Sequence, residues 1–445
     1  MKTYSPSTPG TRRRVRIKLA VALSAAAVAL AGCAQTAGPS QSVSAPSGPI
    51  GAMAVKVHKD FITGATGAKT DVLQQCSPKV TEPTWQLVQY NDLQQLAFRE
   101  ASLGSTDNDL FFLLDSWASP RLFNLLQPLN SYEKSDPIKD FSGISPDILK
   151  AYQQNGKDYG IPIRTTTVVL MYDMQRLADA GFKAAPSTLE QLVSIAKKTA
   201  GTGSNGQPVY GIRFSSVDDL IPWVRAYGGE LINSDYSLGL TNVPTIEALT
   251  TLKGLYDAKA IPADFATLSA DDWLRMEEQG QVAMTVRGSS YYTNLNDPNV
   301  SRIAGHVGVS TFPATEAVGG DVAVPAATWY MSIPKNAKDK QAAWDFIVCV
   351  SSPKSTDLMA LNNNTPVRAS TFSDPAVIKA SVPAVSEAQK KVLAVAKPGL
   401  PGFDNQAKAV AIIQEDMVDA ITGVKTPAAA MKDAAAKVKP LLPAK

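Results

Sequence analysis

Along the chain, short continuous apolar runs alternate with longer stretches in which apolar residues recur every three or four positions. DNDLFFLLD and TTTVVLMYD read as buried strands, and each is followed by an amphipathic helical segment, SPRLFNLLQPL and MQRLADAGF. This alternation predicts an α/β fold. STLEQLVSIAKKTA predicts a helix that opens on Ser187, Thr188 and Glu190 as a capping signal and stops before GTGSNGQP. TIEALTTLKGLYDAK and SADDWLRMEEQGQ predict two more helices, and QVAMTV a buried strand. The final third, with QAAWDFIVCVSSPKSTDLMALNN, FDNQAKAVAIIQEDMVDAITG and TPAAAMKDAAAKVKPLL, reads as helical. No repeat of fixed period is visible.

The first residues follow a different pattern. Lys2, Arg12, Arg13, Arg14, Arg16 and Lys18 precede an apolar run at residues 19–31 with no acid among them. A basic segment followed by an apolar one is a secretory leader. At about 13 residues the run is shorter than the roughly 20 needed to span a bilayer. Leu30, Ala31, Gly32 and Cys33 resemble a bacterial lipobox, in which the cysteine is acylated and becomes the first residue of the mature protein. The alternative is an ordinary secretory signal with a chance cysteine. After Cys33, AQTAGPSQSVSAPSGPIG has the uncharged Ser/Pro/Gly/Ala composition of a flexible tether.

Loss of the six leader cations takes the net charge from +3 to −3. Nucleic acid is therefore not an expected partner. Two cysteines remain, Cys76 and Cys349. In an oxidising compartment such a pair forms a bridge or stays as two buried thiols.

Catalytic signatures are sparse. The two histidines, His58 and His306, lie in no metal-ligand spacing, so no metal or other cofactor is expected. Neither GxSxG nor GxxxxGK[ST] occurs. GTGSNG, residues 201–206, satisfies GxGxxG, but it follows a helix and precedes a strand, the reverse of a phosphate-cradling order. It reads as a loop. With forty acidic residues, a glycosidase pair set by spatial separation stays open as the enzyme alternative. Aromatic residues do stand beside short polar ones near strand ends, as sugar recognition requires: rings stack on sugar C–H faces while polar groups take hydroxyls. Asp115 with Trp117, Trp223, Tyr291 with Tyr292, Trp329, and Phe403 with Asp404 and Asn405 are the candidates, with core packing as the alternative for each ring.

In order, NGKDYGIPIRTTTVVLMYDMQRLADAGF, PSTLEQLVSIAKKTA, WVRAYGGELI, EEQGQVAMTVRGSS, TWYMSIPKNAKDKQAAWDFI and NTPVRASTFSDP resemble successive blocks of the family 1, maltose-binding-like solute-binding proteins of bacterial ABC transporters. The resemblance covers about residues 52–442. Asp173 and Met174 depart from the usual Asn-Lys, and Arg287, Ser289 and Ser290 replace a commoner aromatic.

The resemblance implies two α/β lobes of the periplasmic-binding-protein fold, joined by hinge crossings with a ligand cleft between them. The first lobe would comprise 51–162 and 322–368, the second 163–321 and 369–445, behind a leader at 1–32 and a tether at 33–50. Such lobes close on ligand like a hinged clamp. It further implies a non-enzymatic, monomeric receptor, held by lipid on the outer face of the cell membrane, that delivers a disaccharide or similar glycoside to permease subunits. Cys76 and Cys349 match a bridged pair in some actinobacterial trehalose- and maltose-type lipoproteins. Ligand contacts are expected from Asp115, Trp117, Trp329 and Arg368 on the first lobe or hinge. Trp223, Tyr291, Tyr292, Phe403 and Asn405 are expected to face them.

Overall fold

The computed structural model describes residues 49–64, 71–76, 79–203 and 206–443. The leader, Cys33 and nearly all of the tether lie outside them. Twelve strands occur in this part of the chain: β1 (Gly51–Ala54), β2 (Thr84–Leu87), β3 (Leu110–Leu114), β4 (Gln153–Gln154), β5 (Lys157–Asp158), β6 (Ile161–Thr165), β7 (Val168–Asp173), β8 (Gly201–Thr202), β9 (Pro208–Ile212), β10 (Val282–Gly288), β11 (Val307–Ser310) and β12 (Thr328–Ser332).

Two five-stranded sheets form. The first has the order β2-β1-β3-β12-β6, with β1 parallel to β2 and β3, and β12 antiparallel to β3 and β6. The second has the order β11-β7-β10-β9-β8, in which β7 runs antiparallel to β10 and β11 while β10 is parallel to β9. The continuous apolar runs form the interior strands: β3, LFFLL, is buried along its whole length, and so is β12. Helices cover both faces of such strands, so no polar alternation is left.

Each sheet carries its own core. Met53, Phe111, Phe112, Tyr330 and Trp344 pack in the first, and Leu192, Phe214, Trp223, Phe312 and Met417 in the second. A smaller cluster joins Val169 and Met171 to Val392 on helix Pro383–Ala394. The cap read at Ser187 and Thr188 does start a helix, Leu189–Thr199, with Thr188 as its N-cap. Thr188 accepts the N–H of Gln191 at 3.3 Å, and Ser187 donates to the Gln191 side chain, so Gln191 completes the cap rather than Glu190. Ser269 and Asp272 form a reciprocal capping box ahead of helix Ala270–Glu278. Residues 201–206 begin as β8 in a hairpin with β9, and Gly206 N–H closes the turn on Gly203 at 2.9 Å. Ser204 and Asn205 lie outside the described residues. A 3-10 turn spans Val72–Cys76.

The chain passes between the sheets near residues 165–168, 322–327 and 396–400. These segments are laced together. Thr166 N–H donates to Ala327 O at 2.9 Å, the Thr165 and Thr328 hydroxyls meet at 2.8 Å, and Ala326 N–H donates to Lys397 O at 3.3 Å. Arg225, 8 % exposed, reaches two of them: its Nη1 donates to Ala323 O at 2.8 Å and its Nη2 to Pro398 O at 2.7 Å and Gly399 O at 3.0 Å. Its Nε pairs with Glu230, which also binds Lys397. A buried guanidinium with this many partners holds its segments in one geometry.

Candidate functional site

Between the two sheets lies a cavity of about 430 Å³, walled by Tyr90, Asp115 and Ser116 from the first lobe and by Arg213, Asp218, Asp219, Arg287, Gln406 and Val410 from the second. Thr166, residues 324–327, Gly399 and Leu400 form its floor at the crossings. The volume falls within the range of small-molecule sites. Most of the polar wall stands just beyond strand ends: Asp115 after β3, Arg213 after β9 and Arg287 near the end of β10.

Asp115 is buried, at 7 % exposure. Its Oδ2 accepts the N–H of Thr328 at 3.0 Å and its Oδ1 that of Ser116 at 2.7 Å. Burial nevertheless pushes its carboxyl up to about 7, against the pull of these donors and with a small push from Asp218. Asp218 and Asp219 open helix Val217–Ala226. Asp219 takes the Ser215 and Ser216 N–H groups at 2.8 and 3.2 Å and pairs with Arg213 Nη1 at 2.8 Å. Asp218 faces water, yet enough protein surrounds it that burial, then the Asp219 charge, raises its carboxyl. Its carboxylate has no hydrogen-bond or ion-pair partner among the described residues.

Behind the second-lobe wall sits a buried ionic knot. Glu277, 1 % exposed, accepts from Arg287 Nη1 at 2.6 Å and from the Thr285 hydroxyl at 2.8 Å, with Arg213 Nε at 3.9 Å. Arg287 lies over the Tyr291 ring at 3.7 Å. Ser289 joins Thr167 at 2.8 Å, and Gln389 donates to both, to Ser289 at 2.8 Å and to Thr167 at 3.2 Å. Arg287 and Ser289, two of the departures noted in the sequence, thus serve the wall and the crossing at 165–168.

Asp115 is the one expected contact that lines this cavity. Trp117 and Trp329 stand beside it with Tyr90 in an aromatic cluster, ring centroids 5.6 to 6.2 Å apart. Trp329 is 7 % exposed and rests edge-on against His58 at 4.4 Å. Tyr291 and Tyr292 pack on the small cluster behind the wall, and Tyr291 reaches the cavity only through Arg287. Phe403 shares a neighbouring groove of about 440 Å³ with Trp117. The turn before it is tight: a Cβ on Gly402 would stand 1.9 Å from Ala118 O.

Three of the expected contacts lie away from this cavity. Trp223, 1 % exposed, is a core residue set edge-on against Phe312, because its helix turns that face inward. Arg368 is wholly buried away from the cavity, donating to Asp140 O at 3.1 Å, Thr356 Oγ1 at 2.9 Å and Lys139 O at 3.3 Å. Asn405 is exposed and bonds Leu441 O at 3.4 Å. Reading from aromatic residues missed Tyr90, Arg213, Asp218, Asp219 and Gln406. Their signal was positional: RFSSVDDL marks the end of a strand and a capped helix start, where polar side chains gather at an open sheet edge.

No group of His, Cys, Asp and Glu among the described residues could hold a metal ion, and no helix among them is long and apolar enough to cross a membrane.

A family model described as bacterial extracellular solute-binding protein matches residues 79–357. A Sinorhizobium fredii protein named as a probable amino-acid ABC transporter periplasmic-binding protein is 24% identical over 401 residues, 84% of this chain and 87% of that one. Maltose-bound MalE3 of T. maritima superposes with a TM-score of 0.68 at 22% identity, covering 88% of this chain and 100% of that chain. The sugar-binding protein MalE of Xanthomonas citri gives 0.73 at 18% identity, with 88% and 97% covered. These likenesses to solved structures establish the maltose-binding-like two-lobe fold. The family match adds that the molecule is a binding protein rather than an enzyme, so the glycosidase alternative falls. The chain belongs to the bacterial extracellular solute-binding proteins, exported receptors that hand small molecules to the permeases of ABC importers.

Proposed function

We propose that this receptor captures a carbohydrate, a disaccharide or similar glycoside, in the cavity between its lobes and works as a monomer tethered to the outer face of the membrane by lipid on Cys33. The observation that carries the carbohydrate reading is the wall itself. A half-exposed ring, Tyr90, stands among Asp115, Asp218, Arg287 and Gln406, so a stacking face and directional hydroxyl partners converge on one space. Closure would bring the two walls onto the sugar from opposite lobes. The hinge would comprise the laced crossings.

Two covalent features complete the proposal. Cys76 and Cys349 have Cα atoms 6.0 Å apart, within bridging reach, and we assign them a disulfide inside the first lobe. The lipid on Cys33 keeps the receptor near its permease and raises effective concentration there.

A thermal-shift and small-angle-scattering screen of the soluble mature protein tests the reading. A sugar or glycoside should raise the melting temperature and shrink the radius of gyration. If amino acids do so and no sugar or polyol does, the carbohydrate assignment is wrong. For the anchor, the full-length precursor should partition into detergent when expressed and Cys33→Ala should not.

A further inference from the structure

The wall of the cavity is unevenly neutralised. Arg213 is held by Asp219 at 2.8 Å, and Arg287 by Glu277 at 2.6 Å, so both guanidiniums that reach the cavity already face their own carboxylates. No lysine lines it. Two carboxylates remain without a cation, and they stand on opposite lobes: Asp115 beyond β3 and Asp218 on helix Val217–Ala226. Asp115 has only two backbone N–H donors, and Asp218 has no partner among the described residues.

Building on the carbohydrate reading, we infer that the cavity selects a ligand that places a protonated amine between Asp115 and Asp218, that is, an amino sugar or an amine-bearing glycoside. A neutral sugar offers these carboxylates hydroxyl donors but no compensating charge. An amine offers both, adding the attraction of opposite charges to a hydrogen bond that a hydroxyl makes with no charge of its own. Ligand carboxylates and phosphates are disfavoured, because the two arginines are already engaged and the remaining field is negative. Tyr90 fits this role. Its hydroxyl is raised by burial and by the charges of both Asp115 and Asp218, so it stays a protonated donor near the same point, and its ring offers a face to a cation.

The arrangement also couples charge to motion. Because Asp115 and Asp218 belong to different lobes, ionising both opposes closure until a cation stands between them. Ligand charge would thus contribute to the closing equilibrium as well as to contact.

The test uses one skeleton in two charge states: N,N′-diacetylchitobiose and its deacetylated form, the glucosamine disaccharide, at about pH 7, where a sugar amine is substantially protonated. Maltose and spermidine serve as controls. Calorimetry on the mature protein should show the deacetylated sugar binding at least about tenfold more tightly, as one charge-assisted contact permits. Asp218→Asn should erase that preference while shifting the apo melting temperature only slightly, since the Asp218 carboxylate has no bonded partner among the described residues and otherwise only favours the exposed start of its helix. If maltose or diacetylchitobiose binds as tightly as the amine, or if the preference survives in Asp218→Asn, the amine inference is overturned and the carbohydrate reading stands. Spermidine binding where no sugar binds overturns the carbohydrate reading and keeps the amine. Binding by none of the four overturns the inference.

Discussion

The two walls of the cavity are built from opposite materials. On the first lobe, Tyr90, Trp117, Trp329, His58 and Phe112 form a continuous aromatic layer, with Asp115 the buried carboxylate beside it. On the second, Arg213, Arg287, Asp219 and Glu277 interlock as ions, and the aromatic residues Trp223, Trp273 and Tyr291 are withdrawn behind them. The first wall is held by packing, which is non-directional and tolerates small shifts. The second is held by directional ionic bonds, and taking any one partner away leaves a buried charge exposed to low dielectric. A clamp with one packed jaw and one ionic jaw separates roles: rings for stacking on one side, fixed polar geometry on the other.

Removing the central ring breaks the packed jaw. Trp329→Ala deletes a 7 %-exposed indole that touches His58, Tyr90 and Trp117. The cavity left behind should cost about 3 to 5 kcal/mol of stability by urea unfolding. Ligand affinity should fall with it, because Tyr90 loses its support. A stable variant with selectively lost binding would instead make Trp329 a direct contact.

The ionic jaw breaks more gently if volume is kept. Glu277→Gln leaves an amide that still accepts from Thr285 but strips Arg287 of its counter-charge and leaves Arg213 with Asp219 alone. We expect a loss of about 3 kcal/mol, near the lower end for breaking a buried pair because shape and one acceptor survive. Restoring neutrality by Arg287→Met in the same chain should recover part of it, read as a double-mutant cycle. No recovery would mean that Glu277 acts chiefly through Arg213 rather than Arg287.

These walls explain which parts of the molecule the sequence declared. β3, β7 and β10 were legible because a strand covered on both faces must be apolar nearly throughout, and LFFLL, VVLMY or VAMTV has no other economical reading. Asp115 was legible because a charge directly after such a strand stands at its open end. Trp223 misled because an aromatic ring in sequence carries no sign of which face of its helix looks inward, and here that face meets Phe312. Asp218 and Asp219 were visible only as a helix start. One of them, Asp219, does serve the cap. The other is released to the cavity, and that division is set by where the helix docks, which local pattern does not encode. Arg368 followed the family block faithfully in position, yet its bonds to residues 139, 140 and 356 are long-range contacts that no local reading contains.

The smallest effect separates two buried groups of the packed jaw by their opposite response to pH. Burial pushes the Asp115 carboxyl up from its ordinary 3.8 to about 7. Between these values the folded state holds a proton that the unfolded state has released, so stability falls as pH rises. His58 does the reverse. Enclosed by Phe112 and Trp329, and close to the Arg164 charge, its imidazole drops from 6.5 to about 3. Between those values the unfolded chain takes up a proton that the folded one refuses, so stability falls as pH drops. From about pH 4 to 6.5 the two slopes oppose each other. Each single variant should uncover the removed group's own slope when urea stability is measured against pH and wild type is subtracted, which cancels every titrating group the two proteins share. Asp115→Asn should gain on wild type steadily from pH 4 to 7. His58→Phe, which keeps a ring between its neighbours, should gain as pH falls from 6.5 to 3. Parallel curves for Asp115→Asn and wild type would show that the carboxylate stays ionised in the fold, held by the Thr328 and Ser116 donors in spite of its burial.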